Sequence, residues 1–305
     1  MIFEGTALVP GSCGELVQGT LDSVNFHVTC PVNLFSKVRV SLKPYTRRLF
    51  FPSVRVKTGR AVRNLLDALG YSEMGGIIEV SSPIPLGKGM ASSTADIAAA
   101  CYAVAAALGV EISSELVKQI ALSLEPSDGI FLPGISLFDH VQGRLVEYLG
   151  EALPLGILAL DPGGCVDTLE FNNRADLPYY NRINEPEVRK GLELVKKGIQ
   201  AKDPHLLGEG ATISACANQR ILPKPRLQEL IDFVLARGAY GVNVAHSGTI
   251  VGVLLPLGEE RNKAWEEEIS QRFPEFRRFY PLRLVSGGPR YLGKVKKRVK
   301  EFHEI

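Results

Sequence analysis

Hydrophobic and polar positions recur with two periods along this chain, and changes of period mark its elements. In LFSKVRVSL, residues 34–42, Val38, Val40 and Leu42 share one face of a two-residue repeat, which predicts a strand. In RAVRNLLDALG, Val62, Leu65, Leu66 and Leu69 recur at helical spacing, and Gly70 supplies the stop. GGIIEVSS, 75–82, predicts a strand. Helices are expected from about Ser92 to Leu108 and over SSELVKQIALSLE, 113–125, with a loop at EPSDGIFLPG, 125–134. ISLFDHVQGRLVEYL, 135–149, predicts a hairpin turning at Gln142-Gly143.

The second half mixes the two periods. LGILALD, 155–161, is expected as a buried strand closed by the turn Pro162-Gly163-Gly164, and VDTLEF, 166–171, as a further strand. Helices are predicted in PEVRKGLELVKKGIQ, DPHLLGEGATISACANQ and KPRLQELIDFVLARG, where Leu227, Leu230, Ile231 and Val234 form a core stripe. Apolar strands GAYGVNVAH and TIVGVLLP flank Ser247-Gly248. The helix EERNKAWEEEISQRF, with Trp265 as a packing residue, precedes a last strand, YPLRLVSGG. Strands and helices do not alternate regularly, so the fold class is α+β. The best boundary is the acidic, proline-marked stretch near 150–155, giving domains 1–154 and 155–305.

Composition narrows the function. The chain has 305 residues, 45% of them hydrophobic, enough for a sizeable core. A net charge of +2 is too mild for a nucleic-acid or membrane surface, and the basic run GKVKKRVKEF near the end reads as a solvated helix tail. MIFEGTALVPGSC lacks the basic start and apolar centre of a secretory signal, and no run is long enough to span a bilayer. Five scattered cysteines, none in a CxxC pair, argue for reduced thiols and a cytoplasmic setting. Cys13 reads as a small buried residue. The five histidines are equally scattered, so no metal site of Cys or His is expected.

The candidate chemistry lies in PIPLGKGMASSTADIAAACYAVAAALG, which opens at residue 83. Gly87 and Gly89 let backbone approach a ligand, and Ala91, Ser92 and Ser93 are small. The following helix points its unpaired N–H groups and positive dipole end into the loop, an arrangement suited to phosphate. One serine can cap the helix; the other can ligate magnesium or donate to a phosphate oxygen. Lys88 can neutralise phosphate charge. A glycine turn with a serine cap is the bland alternative. The loop is not a Walker A sequence, because Ser82 stands at its first glycine and Gly89 follows Lys88.

PLGKGMASSTA resembles the second motif of the GHMP kinases, commonly P-x-x-x-G-L-G-S-S-A-A, with Ala91 at the middle glycine. GAYGVNVAHSGTIVGVLL, 238–255, is similar to their third motif. VPGSCGELVQG, 9–19, and VTCPVNLFSKV, 28–38, are similar to a narrower group, the L-threonine kinases of cobalamin biosynthesis. The resemblance implies a two-domain fold, the first domain like ribosomal protein S5 domain 2 and the second ferredoxin-like. It implies transfer of the γ-phosphoryl of ATP to a small amino-acid alcohol, with Mg2+, and leaves a homodimer open.

The resemblance also distributes roles. Pro85, Leu86, Gly87, Lys88, Gly89, Met90, Ala91, Ser92, Ser93 and Thr94 would cradle the triphosphate, closed by Ser247 and Gly248. Ser93 and Glu125 would hold magnesium, with Lys88 and Asp128 catalytic. Asp128 would accept or orient the alcohol proton, Asp139 being its competitor. An ordinary loop, with Asp128 in an Asx turn, is the alternative. Glu15 and Asp22 could answer a substrate ammonium, and Gln18 its carboxylate. Homoserine kinase, and a catalytically inactive binding protein of the same fold, are the competing functions.

Overall fold

The computed structural model describes residues 1–166, 170–171 and 173–292. Its strands are β1 (Phe3–Leu21), β2 (Val24–Lys43), β3 (Leu49–Phe50), β4 (Gly75–Ser81), β5 (Ile135–Phe138), β6 (Val146–Gly150), β7 (Leu155–Asp161), β8 (Gly241–Val244), β9 (Val251–Pro256), β10 (Arg278–Arg283) and β11 (Arg290–Tyr291). The helices are α1 (Val56–Ala68), α2 (Ser92–Leu108), α3 (Ser114–Leu122), α4 (Leu177–Ala201), α5 (Pro204–Asn218), α6 (Leu227–Leu235) and α7 (Lys263–Arg272). Among the described residues no helix is long and apolar enough to cross a membrane.

One sheet runs β10-β7-β9-β8-β1-β2-β4-β3, with β5 on β2, β6 on β5 and β11 on β1. Its frame is the long antiparallel β1–β2 hairpin, which the hydrophobic pattern revealed only at residues 34–42. Pro10, Gly11 and Gly14 interrupt the alternation there, and the ladder shifts register after Pro10, Ser12 and Glu15. Asp22 and Ser23 turn the hairpin, both at positive φ, as the strands' right-handed twist favours. The boundary expected at residue 154 falls between β6 and β7. Glu15 pairs with Val244 and joins β8 to β1, so the sheet crosses that division.

Helix α2 is buried along nearly its whole length. Its alanines let it lie close on β1: a Cβ on Gly5 would stand 2.2 Å from Ala103 O. Asp96 anchors the helix, accepting the Ser36 hydroxyl at 2.5 Å and pairing with Arg55 at 2.5 Å. A second apolar cluster lies where β7, β8 and β9 meet α6 and α7, built on Leu230, Val234, Val253, Ile269 and Phe273. Trp265 belongs to it.

Two expectations change. Helix α4 begins nine residues before Pro186, which therefore lies in its interior rather than at its start. The strand expected at 166–171 does not form where the segment is described: Val166 is coil and Glu170 and Phe171 are helical. The Val166 amide instead donates to Gly87 O at 3.3 Å, crossing to the glycine loop. Residues 167–169 and the basic run from Gly293 lie outside the described residues.

Candidate active site

Helix α2 starts at Ser92, and the residue before it, Ala91, is left-handed with φ 57°. No side chain caps this end. The serines therefore occupy the first two helical positions and neither is the cap, as had been one expectation. The amides of Ser92, Ser93 and Thr94 have no intrahelical acceptor. The loop's carbonyls are occupied elsewhere: Lys88 O accepts Thr249 N–H at 3.1 Å and Ile250 N–H at 3.2 Å, Gly89 O accepts Gly14 N–H at 3.2 Å, and Met90 O accepts Ser12 N–H at 3.0 Å. The three sequence motifs are thus stitched together by backbone, and the helix-start amides face a cavity of about 150 Å³. Gly89, φ 79°, sits at the closest approach: a Cβ there would meet Ala245 Cβ at 2.3 Å.

Carboxylates enter from the loop after α3. The Ser93 hydroxyl donates to Glu125 Oε1, while Lys57 Nζ pairs with Glu125 Oε2. A hydroxyl beside a carboxylate at a helix N-terminus is a donor set that suits magnesium. Asp128 is docked on the same helix end, its amide donating to Thr94 Oγ1 at 3.3 Å. Burial raises the Asp128 pKa to about 6. Glu15, buried on β1, is raised well above the carboxylate range by burial and by Asp128; Thr29 opposes the rise. Ligand atoms of Glu15, His27 and Asp128 lie within 4.8 Å of one another, and the two carboxylates therefore disfavour carrying charge together.

The cavity gathers Glu15, Gly87, Gly89, Met90, Ala91, Ser92, Ser93, Thr94, Glu125, Asp128 and Ser247. Other expected residues stand apart. Lys88 Nζ donates to Asp161 Oδ1 at 2.9 Å and Gly164 O at 2.6 Å. Leu86 is exposed. Gln18 Nε2 donates to Val244 O at 3.0 Å and lines a smaller recess next to His246. Asp22 is exposed at the hairpin tip and pairs with Arg189 at 3.3 Å. Asp139 accepts the amides of Val141, Gln142 and Arg144, fastening its own turn. Gly248 packs on the loop at Lys88 O and Gly89 N.

Sequence reasoning missed the histidines. His27 on β2, His140 after β5 and His246 after β8 converge on the cavity. Burial lowers the His27 pKa to about 3 and holds the other two well below the imidazole range, so all three are uncharged at neutral pH. A larger neighbouring cavity of about 410 Å³ shares His140 and His246 and is lined by Asn25, Asn181 and Arg182. Lys224 was also missed. Burial lowers its pKa to about 7, and it donates to Gly248 O at 2.8 Å. No local pattern marks these residues: strand register gathers the histidines, and Lys224 comes from the loop between α5 and α6.

Comparison with known proteins agrees with this geometry. The model "GHMP kinases N terminal domain" matches residues 56–132, and "GHMP kinases C terminal" matches 195–274. The chain is 35% identical to an L-threonine kinase of Citrobacter freundii over 92% of this chain and 98% of that protein. It is 32% identical to an L-threonine kinase of Salmonella typhimurium, over 92% and 94%. A crystal structure of homoserine kinase from Cytophaga hutchinsonii superposes with a TM-score of 0.71 at 18% identity, covering 95% of this chain and 97% of that one.

Proposed function

This chain belongs to the GHMP kinase family, and we propose that it transfers the γ-phosphoryl group of ATP to the hydroxyl of L-threonine, releasing ADP and O-phospho-L-threonine. The observation that carries the reading is a single cavity holding an uncapped helix start, the Ser93–Glu125 pair and Asp128. The two L-threonine kinase relatives support the choice of acceptor.

Phosphoryl transfer needs alignment and spread-out positive potential more than covalent chemistry. The amides of Ser92, Ser93 and Thr94 supply that potential without reorganising, because their loop is already held by β1 and by the turn before β9. Ser93 and Glu125 would hold Mg2+, which when bound neutralises phosphate charge. Asp128 takes the hydroxyl proton as the new O–P bond forms. With its pKa at about 6, it is ionised at neutral pH yet a stronger base than an exposed aspartate. Glu15, raised above the ordinary carboxylate range by burial and by Asp128, gives its proton to solvent as the substrate ammonium arrives and pairs with that ammonium as the carboxylate.

The test is ADP release from ATP and magnesium with a panel of amino alcohols. Release with threonine and not homoserine is expected. Preference for homoserine would overturn the acceptor, and failure of every alcohol to elicit ADP release would point to a binding protein.

A further inference from the structure

Three of the five histidines meet at the wall between the two cavities. Ring centroids are 3.6 Å apart for His27 and His140, 4.4 Å for His27 and His246, and 5.2 Å for His140 and His246. One nitrogen from each ring lies within 4.8 Å of one from each of the others. His27 and His140 are 3% and 4% exposed. Among the described residues, both nitrogens of His27 and Nδ1 of His140 have no hydrogen-bond partner. The carboxylates nearest His27 Nδ1 stand at 3.7 and 3.9 Å, beyond hydrogen-bond reach.

A buried polar atom left in this state has lost its water without gaining a partner, which is unfavourable. A cluster kept only for packing would do better with apolar rings. Imidazoles facing a cavity are instead the donor type chosen by zinc, cobalt and nickel, whereas magnesium chooses oxygen. We propose that His27, His140 and His246 bind one late first-row divalent cation of the zinc class, at a site separate from the Ser93–Glu125 pair. His27 and His140 lie parallel within 9°, so their in-plane lone pairs run side by side. Binding turns one of these rings out of the stack. His246, tilted by 60° to His27 and 65° to His140, already lies across both. The bound ion brings positive charge next to Asp128, whose Oδ1 lies 3.7 Å from His27 Nδ1, so it weakens that carboxylate as a base and slows phosphoryl transfer. Only this last effect rests on the kinase reading; the binding does not.

The full chain, stripped with a chelator, is titrated with Co2+ and Zn2+ in excess magnesium and without nucleotide. Calorimetry gives stoichiometry, and visible absorption of Co2+ reports the donors. The expected result is one ion per chain, nitrogen-type cobalt bands, and binding roughly tenfold or more weaker in His140→Ala and in His246→Gln. Zinc should also raise the melting temperature of the wild type. Crystals soaked in Zn2+ should show anomalous density between the rings, a readout independent of whether either variant folds. No stoichiometric binding, equal affinity in both folded variants, or a sulfur charge-transfer band from Cys165 or Cys216 would overturn the site. Zinc bound at the rings with undiminished turnover would overturn its effect on transfer.

Discussion

Replacing Asp128 by Asn separates catalysis from stability, because the two should move in opposite directions. Asn keeps the size of the side chain and the hydrogen bond from the backbone N–H to Thr94 Oγ1, but its side chain cannot act as the base. General-base assistance is worth about 10²–10⁴ in rate, or roughly 3–5 kcal/mol of barrier. The turnover number should fall by that factor, with KM for ATP within about threefold, since Asp128 lies outside the glycine loop proposed to hold the triphosphate. Stability should rise. A carboxylate whose pKa is raised by folding is destabilising when ionised. For Asp128 the penalty is absent below its ordinary value of 3.8, grows as pH rises to about 6, and is complete above that. Its ceiling is about 3 kcal/mol, and relaxation and the remaining solvent contact bring the expected gain to about 1–2 kcal/mol at pH 7.5. Steady-state ADP release and urea denaturation at pH 5 and pH 7.5 test both halves. In the wild type, kcat/KM should climb tenfold per pH unit below about 6 and level off above, and the variant should lose that limb. Turnover within threefold of the wild type, or a variant less stable than the parent at pH 7.5, would refute the reasoning.

Other changes probe the rest of the site. Gly89→Ala forces a Cβ against Ala245 at positive φ and should cost about 2 kcal/mol or more in denaturation, with KM for ATP raised at least about tenfold. Ser93→Ala and Glu125→Gln should each lower kcat roughly 10²-fold and raise the magnesium concentration for half-maximal rate. An unchanged magnesium dependence in both would move the ion elsewhere. Lys88→Met breaks a mostly buried pair with Asp161 and should cost about 3 kcal/mol of stability, while kcat falls less than about fivefold. A much larger drop in kcat would show that the ammonium leaves Asp161 for the phosphates during turnover.

The legible parts of this molecule are those whose signal is local. Helix α2 is expected over the residues it occupies, because a run of seventeen positions, all but Asp96 small or apolar, follows a glycine loop and ends at Gly109. Strand β7 was equally plain, all seven of its residues being buried. The first two thirds of the β1–β2 hairpin were not, since the bulges that bend it erase a two-residue period. Those same bulges let Ser12 and Gly14 turn their amides onto the glycine loop. The feature that hid the strand from its pattern is the one that ties the N-terminal motif to the glycine loop.

The histidines show the limit from the other side. Scattered in sequence, they gave no reason to expect a cluster, and the expectation of no histidine site followed from spacing alone. Register nevertheless gathers the three rings. His27 lies opposite Phe138 in the β2–β5 ladder, which leaves His140 just past the strand end and stacked on it. Glu15 opposite Val244 fixes β8, and His246 follows two residues later. Each ladder has its own hydrophobic reason to form, since Val28, Phe138, Val242 and Val244 are all buried. The polar cluster is thus held by apolar pairing around it rather than by bonds within it. That explains how ring nitrogens can stay unpartnered in a stable core, and why a ligand can engage them without first breaking a hydrogen bond.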